Sequence, residues 1–264
     1  MCWIVRLRGR GPYLTSSRYN QTVTRPEGPR EPLLVFAIVT ALSALLAVAG
    51  AVVPFVRANL HVPIAVMFFY APALAARRMG REFDYEAAGL RAEPIRLNLA
   101  LLAGASVIVF PIFAVGFFLF WGRICPDPAL APLFGGLCRR WLGWSAGHLR
   151  LPEGFALFSL SQLVVVAIPE ELFFRGYLME RLERVWPPTR RLFGAKVGWA
   201  LIVSSVLFAL GHLAVIPNPQ RLAVFFPALL FGWMRARTGS IAAGAVFHAL
   251  CNVLADLLHT SYFG

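Results

Sequence analysis

Three stretches of the sequence place ionisable or amide side chains inside otherwise apolar runs. The first holds Glu170, Glu171 and Arg175; the second ends in His212, four residues after Phe208; the third carries His248, Asn252 and Asp256 at intervals of four. An ionisable group at the centre of a hydrocarbon-embedded helix costs roughly 2.5–3.5 kcal/mol on insertion scales, so each needs a compensating purpose. Neighbouring Glu170 and Glu171 project about 100° apart on a helix and cannot face the same cavity. Glu171 and Arg175, four apart with the acid on the amino-terminal side, have the spacing of an intrahelical ion pair. That division leaves Glu170 free for other work. Pro169 lacks an N–H and frees a carbonyl one turn back, which predicts a local kink where water could enter. His212 shares a helix face with Phe208, and His248, Asn252 and Asp256 form one polar stripe, with Asp256 near the end of its span and read as solvated. A free carboxylate, two imidazoles and an amide can activate water: the carboxylate as general base, a histidine to hold the water, a histidine and the amide to donate to an oxyanion. The chemistry predicted is peptide-bond hydrolysis inside a membrane.

Each element also has a plainer reading. The Glu171 and Arg175 pair could simply lock helix packing, a membrane histidine could bond a backbone carbonyl, and chains of Glu and His also serve proton-coupled transporters. A non-catalytic membrane scaffold is a third class. The joint presence of such residues on three separate apolar runs favours the enzyme, and the lack of repeat symmetry argues against a transporter.

The elements that must position these residues are helices. Hydrophobic residues make up 58% of the 264 and charged residues 14%, against roughly 45–50% and about 25% in soluble domains. This excludes a cytosolic enzyme, a disordered chain and a small disulfide scaffold. Charge-poor runs at 33–56, 59–76, 97–121, 154–177, 197–216, 222–234 and 241–258 predict an all-α, polytopic transmembrane bundle of about seven spans, the fourth continuing as a polar helix to about residue 184. Residues 1–31 read as a basic, disordered cytoplasmic tail with no signal peptide, 32–152 as amino-terminal membrane helices, and 153–264 as the catalytic core.

The net charge of +12 is distributed between apolar runs rather than gathered on a soluble domain, so no nucleic-acid partner is expected. Alternating seven spans from a cytoplasmic amino terminus puts 18 basic residues inside and 6 outside, as the positive-inside rule requires. The chain uses one lysine against 24 arginines, a codon-usage signature of a GC-rich, bacterial genome, and the inner membrane is the expected location. Cys2, Cys125, Cys138 and Cys251 lack zinc-ribbon spacing. Cys125 and Cys138, in a connection expected outside, are either bridged or two buried thiols.

The segments Glu170-Glu171-Leu172-Phe173-Phe174-Arg175, Phe208-Ala209-Leu210-Gly211-His212 and His248-Ala249-Leu250-Cys251-Asn252 resemble the EExxxR, FxxxH and HxxxN motifs of the CPBP family, the CAAX-protease and bacteriocin-processing intramembrane endopeptidases. The resemblance covers about residues 155–258. It implies a glutamic-type endopeptidase with Glu170 as general base, His212 sharing the water, His248 and Asn252 at the oxyanion, and Glu171, Arg175 and Phe208 in support. No cofactor is implied as required; zinc, if held, would sit on Glu170, His212 and His248. The implied partners are the lipid bilayer and a membrane-associated protein or peptide, lipidated or carrying a carboxyl-terminal sorting tail. One departure is the span count, seven here where eukaryotic type II CAAX proteases usually show eight.

Overall fold

The computed structural model describes residues 28–130, 138, 150–151 and 153–263; the expected disorder of the tail, and Trp141 and Trp144 of the long connection, lie outside the described residues. The fold is a helical membrane bundle. Its helices are α1 (Arg30–Val52), α2 (Pro54–Ala58), α3 (His61–Arg78), α4 (Ile95–Leu119, extended by a wide turn Phe120–Ile124), α5 (Phe155–Val185), α6 (Trp199–Val215), α7 (Phe225–Thr238) and α8 (Ala242–Phe263). Four of them, α1, α4 with its extension, α5 and α8, are long and apolar enough to cross a membrane by length and composition. Helices α3, α6 and α7 correspond to the other expected spans but measure only about 27, 26 and 21 Å at 1.5 Å per residue.

Span one stops earlier than expected. The residue before a proline is pushed out of the helical region; Val53 is extended (φ −109°, ψ 107°), and Pro54 starts the short helix α2. That helix folds back until the Arg57 backbone lies 3.3 Å from where a Cβ on Gly50 would stand.

Helix α5 is the axis of the fold. It packs against α1, α3 and α6 on one side and α8 on the other, and α8 is in turn flanked by α4 and α7. One core gathers Phe173, Phe174, Tyr177 and Leu178 of α5 with Val39, Ala75 and Phe208. A second joins Phe231 and Met234 of α7 with Ala243 and Phe247 of α8. Between α5 and α8, Ala167, Ala245 and Ala249 form a seam of small residues, which lets two membrane helices approach closely.

The polar segment 79–94 is docked rather than loose. Ile241 N–H donates to Gly89 O at 2.9 Å, Ser240 Oγ donates to Arg91 O, and Arg235 Nη2 reaches Ala87 O at 3.4 Å. Gly176 on α5 makes room for it: a Cβ there would stand 2.7 Å from Ala88 O. Residues 190–197, between the polar end of the fourth predicted span and the fifth, contain the one departure from an all-helical chain among the described residues. Strands β1 (Arg190–Leu192) and β2 (Ala195–Val197) pair antiparallel with Arg190 opposite Val197. Phe193 and Gly194 at the turn both have positive φ, the requirement of a two-residue hairpin whose twist matches its strands. Trp233 Nε1 donates to Leu192 O at 2.9 Å and seats the hairpin against α7.

The two ends of the bundle are distinct. At one, Glu31 accepts from Tyr177 Oη (2.5 Å) and Arg181 Nε (3.4 Å), and Tyr177 and Arg181 lie beside segment 79–94. At the other, Cys125 and Cys138 form a disulfide with Cα atoms 5.1 Å apart, and Arg150 N–H donates to Ser261 Oγ at 3.0 Å. Of the two readings of these cysteines, the bridge is the one the structure contains; Cys251 is free.

Candidate active site

The site lies where α5, α6, α7 and α8 meet. Helix α5 is not regular there: wide, π-helical turns at Gln162–Ala167 and Leu172–Met179 flank the four-residue α-helical stretch Ile168–Glu171. Pro169 has no N–H for the carbonyl four residues earlier, and a wide turn accommodates the break by shifting the bonding pattern to i→i+5. The kink expected at Pro169 is thus distributed into two bulges that bracket Glu170 and Glu171.

Glu171 and Arg175 are both almost wholly inaccessible. Arg175 Nη1 donates to Glu171 Oε1 at 3.0 Å and Nη2 to Ala228 O at 3.1 Å. Its guanidinium carbon lies 4.4 Å from the Phe208 ring centroid and 5.3 Å from that of Phe231, so aromatic faces supply the remaining cation stabilisation. Glu171 Oε1 also meets His248 Nδ1 at 3.1 Å. A carboxylate can only accept, so Nδ1 carries the proton and Nε2 faces the other way. His212 is held in the same sense, with Nδ1 3.0 Å from the Phe208 carbonyl.

Both Nε2 atoms point to one place. Glu170 Oε2 is 3.9 Å from His212 Nε2 and 3.8 Å from His248 Nε2, and it is buried without a hydrogen-bond partner among the described residues. Phe208, fully buried, packs on His212 with centroids 4.4 Å apart and on His248 at 5.9 Å. Phe231 stacks on His248 at 5.0 Å with planes 17° apart. The structure therefore brings together Glu170, His212 and His248, with Glu171, Arg175 and Phe208 behind them. Asn252, one turn beyond His248, bonds Gln162 of α5, its Nδ2 donating to Oε1 at 3.0 Å. Asp256 lies a turn further along α8, half-buried. Among the described residues, no three or more His, Cys, Asp or Glu side chains are grouped to hold a metal ion.

Two residues were not picked out from sequence. Phe231 sits in a run too short for its period to reveal a buried face. Gln162 is the one carboxamide in the apolar stretch before Glu170, a signal that lacked a partner until α8 was placed beside it.

Residues 152–254 match the family model described as type II CAAX prenyl endopeptidase Rce1-like. Neither a curated protein nor a solved structure matches the chain. The matched segment runs from the start of α5 into the middle of α8 and contains Gln162, Glu170, Glu171, Arg175, Phe208, His212, Phe231, His248 and Asn252. Over that segment, less than half of the chain, the protein is similar to the type II CAAX prenyl endopeptidase family.

Proposed function

We propose that this integral membrane protein is an endopeptidase that cuts near the carboxyl terminus of a membrane-associated protein or peptide, using water activated by Glu170. The observation that carries the reading is the convergence of Glu170 Oε2 with two imidazole Nε2 atoms at 3.8 and 3.9 Å. These separations exceed a direct hydrogen bond and suit a small molecule held by all three groups. In the reaction, Glu170 takes a proton from water as its oxygen attacks the scissile carbonyl, with His212 orienting that water. His248, fixed through Nδ1 by Glu171, turns its Nε2 to the reacting atoms and in its protonated form donates to the oxyanion, with Asn252 as second donor. Collapse of the tetrahedral species returns the proton from Glu170 to the leaving amine. The family description points to a lipidated substrate tail; a hydrophobic sorting tail meets the same chemistry. All of these steps use side chains of this chain, and no metal is assigned to them. The arginine-rich end is assigned to the cytoplasm of a bacterial inner membrane.

The test is purified protein in liposomes with internally quenched peptides, one ending in a farnesylated CAAX sequence and one in an unmodified apolar tail. The parent is expected to cleave one of them and to keep its rate in chelator, whereas Glu170→Gln loses at least the roughly 10²–10⁴-fold that general acid–base catalysis supplies. A Glu170→Gln protein, equally folded and inserted, that cleaves at the parental rate would end this reading. A pH-sensitive dye inside the same liposomes covers the transporter alternative: proton flux without cleavage would replace the enzyme with it.

A further inference from the structure

Gln162 belongs to none of the three motifs, and its contact with Asn252 joins residues ninety positions apart on different helices. We propose that Gln162 is a positioning residue that aims the Asn252 amide at the oxyanion. This rests on the reading above in which Asn252 is an oxyanion donor.

A donor contributes to catalysis through being pointed, before the reaction, at where charge will develop. Asn252 alone on α8 would be free to rotate about χ1 and χ2 or to bond backbone nearby. Gln162 Oε1 takes one of its two Nδ2 hydrogens at 3.0 Å. Because the carboxamide is planar, fixing one N–H also fixes the direction of the other. The remaining hydrogen is the one available to substrate.

The helix that supplies Gln162 matters as much as its chemistry. Gln162 and Glu170 lie eight apart on α5, so Gln162 ties the donor on α8 to the helix that carries the base. The contact thereby couples the donor's side-chain orientation to the helix that bears the base. The wide turn Gln162–Ala167 serves this arrangement. In a regular helix, eight residues would set Gln162 about 80° round from Glu170. A π-helical stretch turns less per residue, which reduces that offset and brings the two side chains toward one face.

The experiment measures kcat and KM in liposomes for parent, Gln162→Leu, Gln162→Glu, Asn252→Ala and Gln162→Leu/Asn252→Ala. The probe is whichever of the two quenched peptides the parent cleaves, and melting temperatures and inserted yields are taken alongside. Gln162→Leu is expected to lower kcat at least tenfold, since small misplacements of a catalytic group have effects of up to about 10²-fold, with KM and melting temperature near parental. Gln162→Glu, similar in shape and still an acceptor, should restore kcat to within about threefold of parent. In the Asn252→Ala background, Gln162→Leu should change kcat by less than twofold, because there is no longer an amide to aim. An equal loss in both backgrounds, a loss confined to KM or to inserted yield, or a parental kcat in Gln162→Leu beside an impaired Asn252→Ala would each overturn the assignment. Asn252→Ala at the parental rate removes its premise while leaving Glu170 as base. A parent that cleaves neither peptide fails the endopeptidase reading, and this assignment with it.

Discussion

Glu171 is buried between two positively charged or chargeable groups, Arg175 at 3.0 Å and His248 at 3.1 Å through the same oxygen. Its role therefore differs from that of its neighbour Glu170, whose Oε2 faces the site. Removing one member of a buried ion pair leaves the other uncompensated, at a cost of about 3–5 kcal/mol. Glu171→Gln is accordingly expected to reduce the yield of folded, inserted protein more than Glu170→Gln does, as read by detergent-solubilised melting curves. Equal melting temperatures for the two variants would mean that Glu171 does not hold Arg175 in place. The proximity of Glu171 and Arg175 was legible in sequence because an i→i+4 pair is set by helix geometry alone. The same holds for Phe208 beneath His212. The contacts of His248 with Glu171 and Phe231, and of Asn252 with Gln162, cross between helices, and single-sequence spacing carries no information on azimuth or depth between two helices.

At the scale of elements, the span pattern showed where helices lie but not how they bend. Pro169 reads as a kink, whereas Pro54 lies inside a run, 33–56, that reads as one continuous span. At Pro54 the helix ends, whereas at Pro169 neighbouring packing carries it through as wide turns, and only the tertiary surroundings separate these outcomes. The docking of segment 79–94 was hidden for a related reason: it rests on backbone carbonyls and on Gly176, which has no side chain to announce a contact. A Cβ at position 176 would stand 2.7 Å from Ala88 O, a backbone atom that cannot swing aside. Gly176→Ala is expected to lift this segment from α5, with a cost of about 1–3 kcal/mol for overpacking. Hydrogen exchange in detergent would register the change as faster exchange of the Ile241 N–H, which donates to Gly89 O. Unchanged protection at Ile241 would show that the helices shift to absorb the methyl group.

Two independent signals bear on which end of the whole molecule faces the cytoplasm. One is charge: Arg77, Arg78, Arg81, Arg181, Arg184, Arg190, Arg191, Lys196, Arg235 and Arg237 all fall at the end that holds segment 79–94 and the hairpin. The other is redox chemistry. The Cys125–Cys138 bridge lies at the opposite end, and structural disulfides persist in oxidising compartments rather than in the cytosol. Charge bias and bridge arise from different physics and both favour the proposed orientation, with the arginine-rich end inside. Single cysteines test it in a background where Cys2 and Cys251 are replaced by serine and the bridge is kept. Glu86 and Gln220 are exposed positions at opposite ends. In intact cells a membrane-impermeant maleimide is expected to label Gln220→Cys directly and Glu86→Cys only after permeabilisation. The reverse pattern would invert the bundle, place the bridge in a reducing compartment and put Glu31, Tyr177 and Arg181 on the exported face.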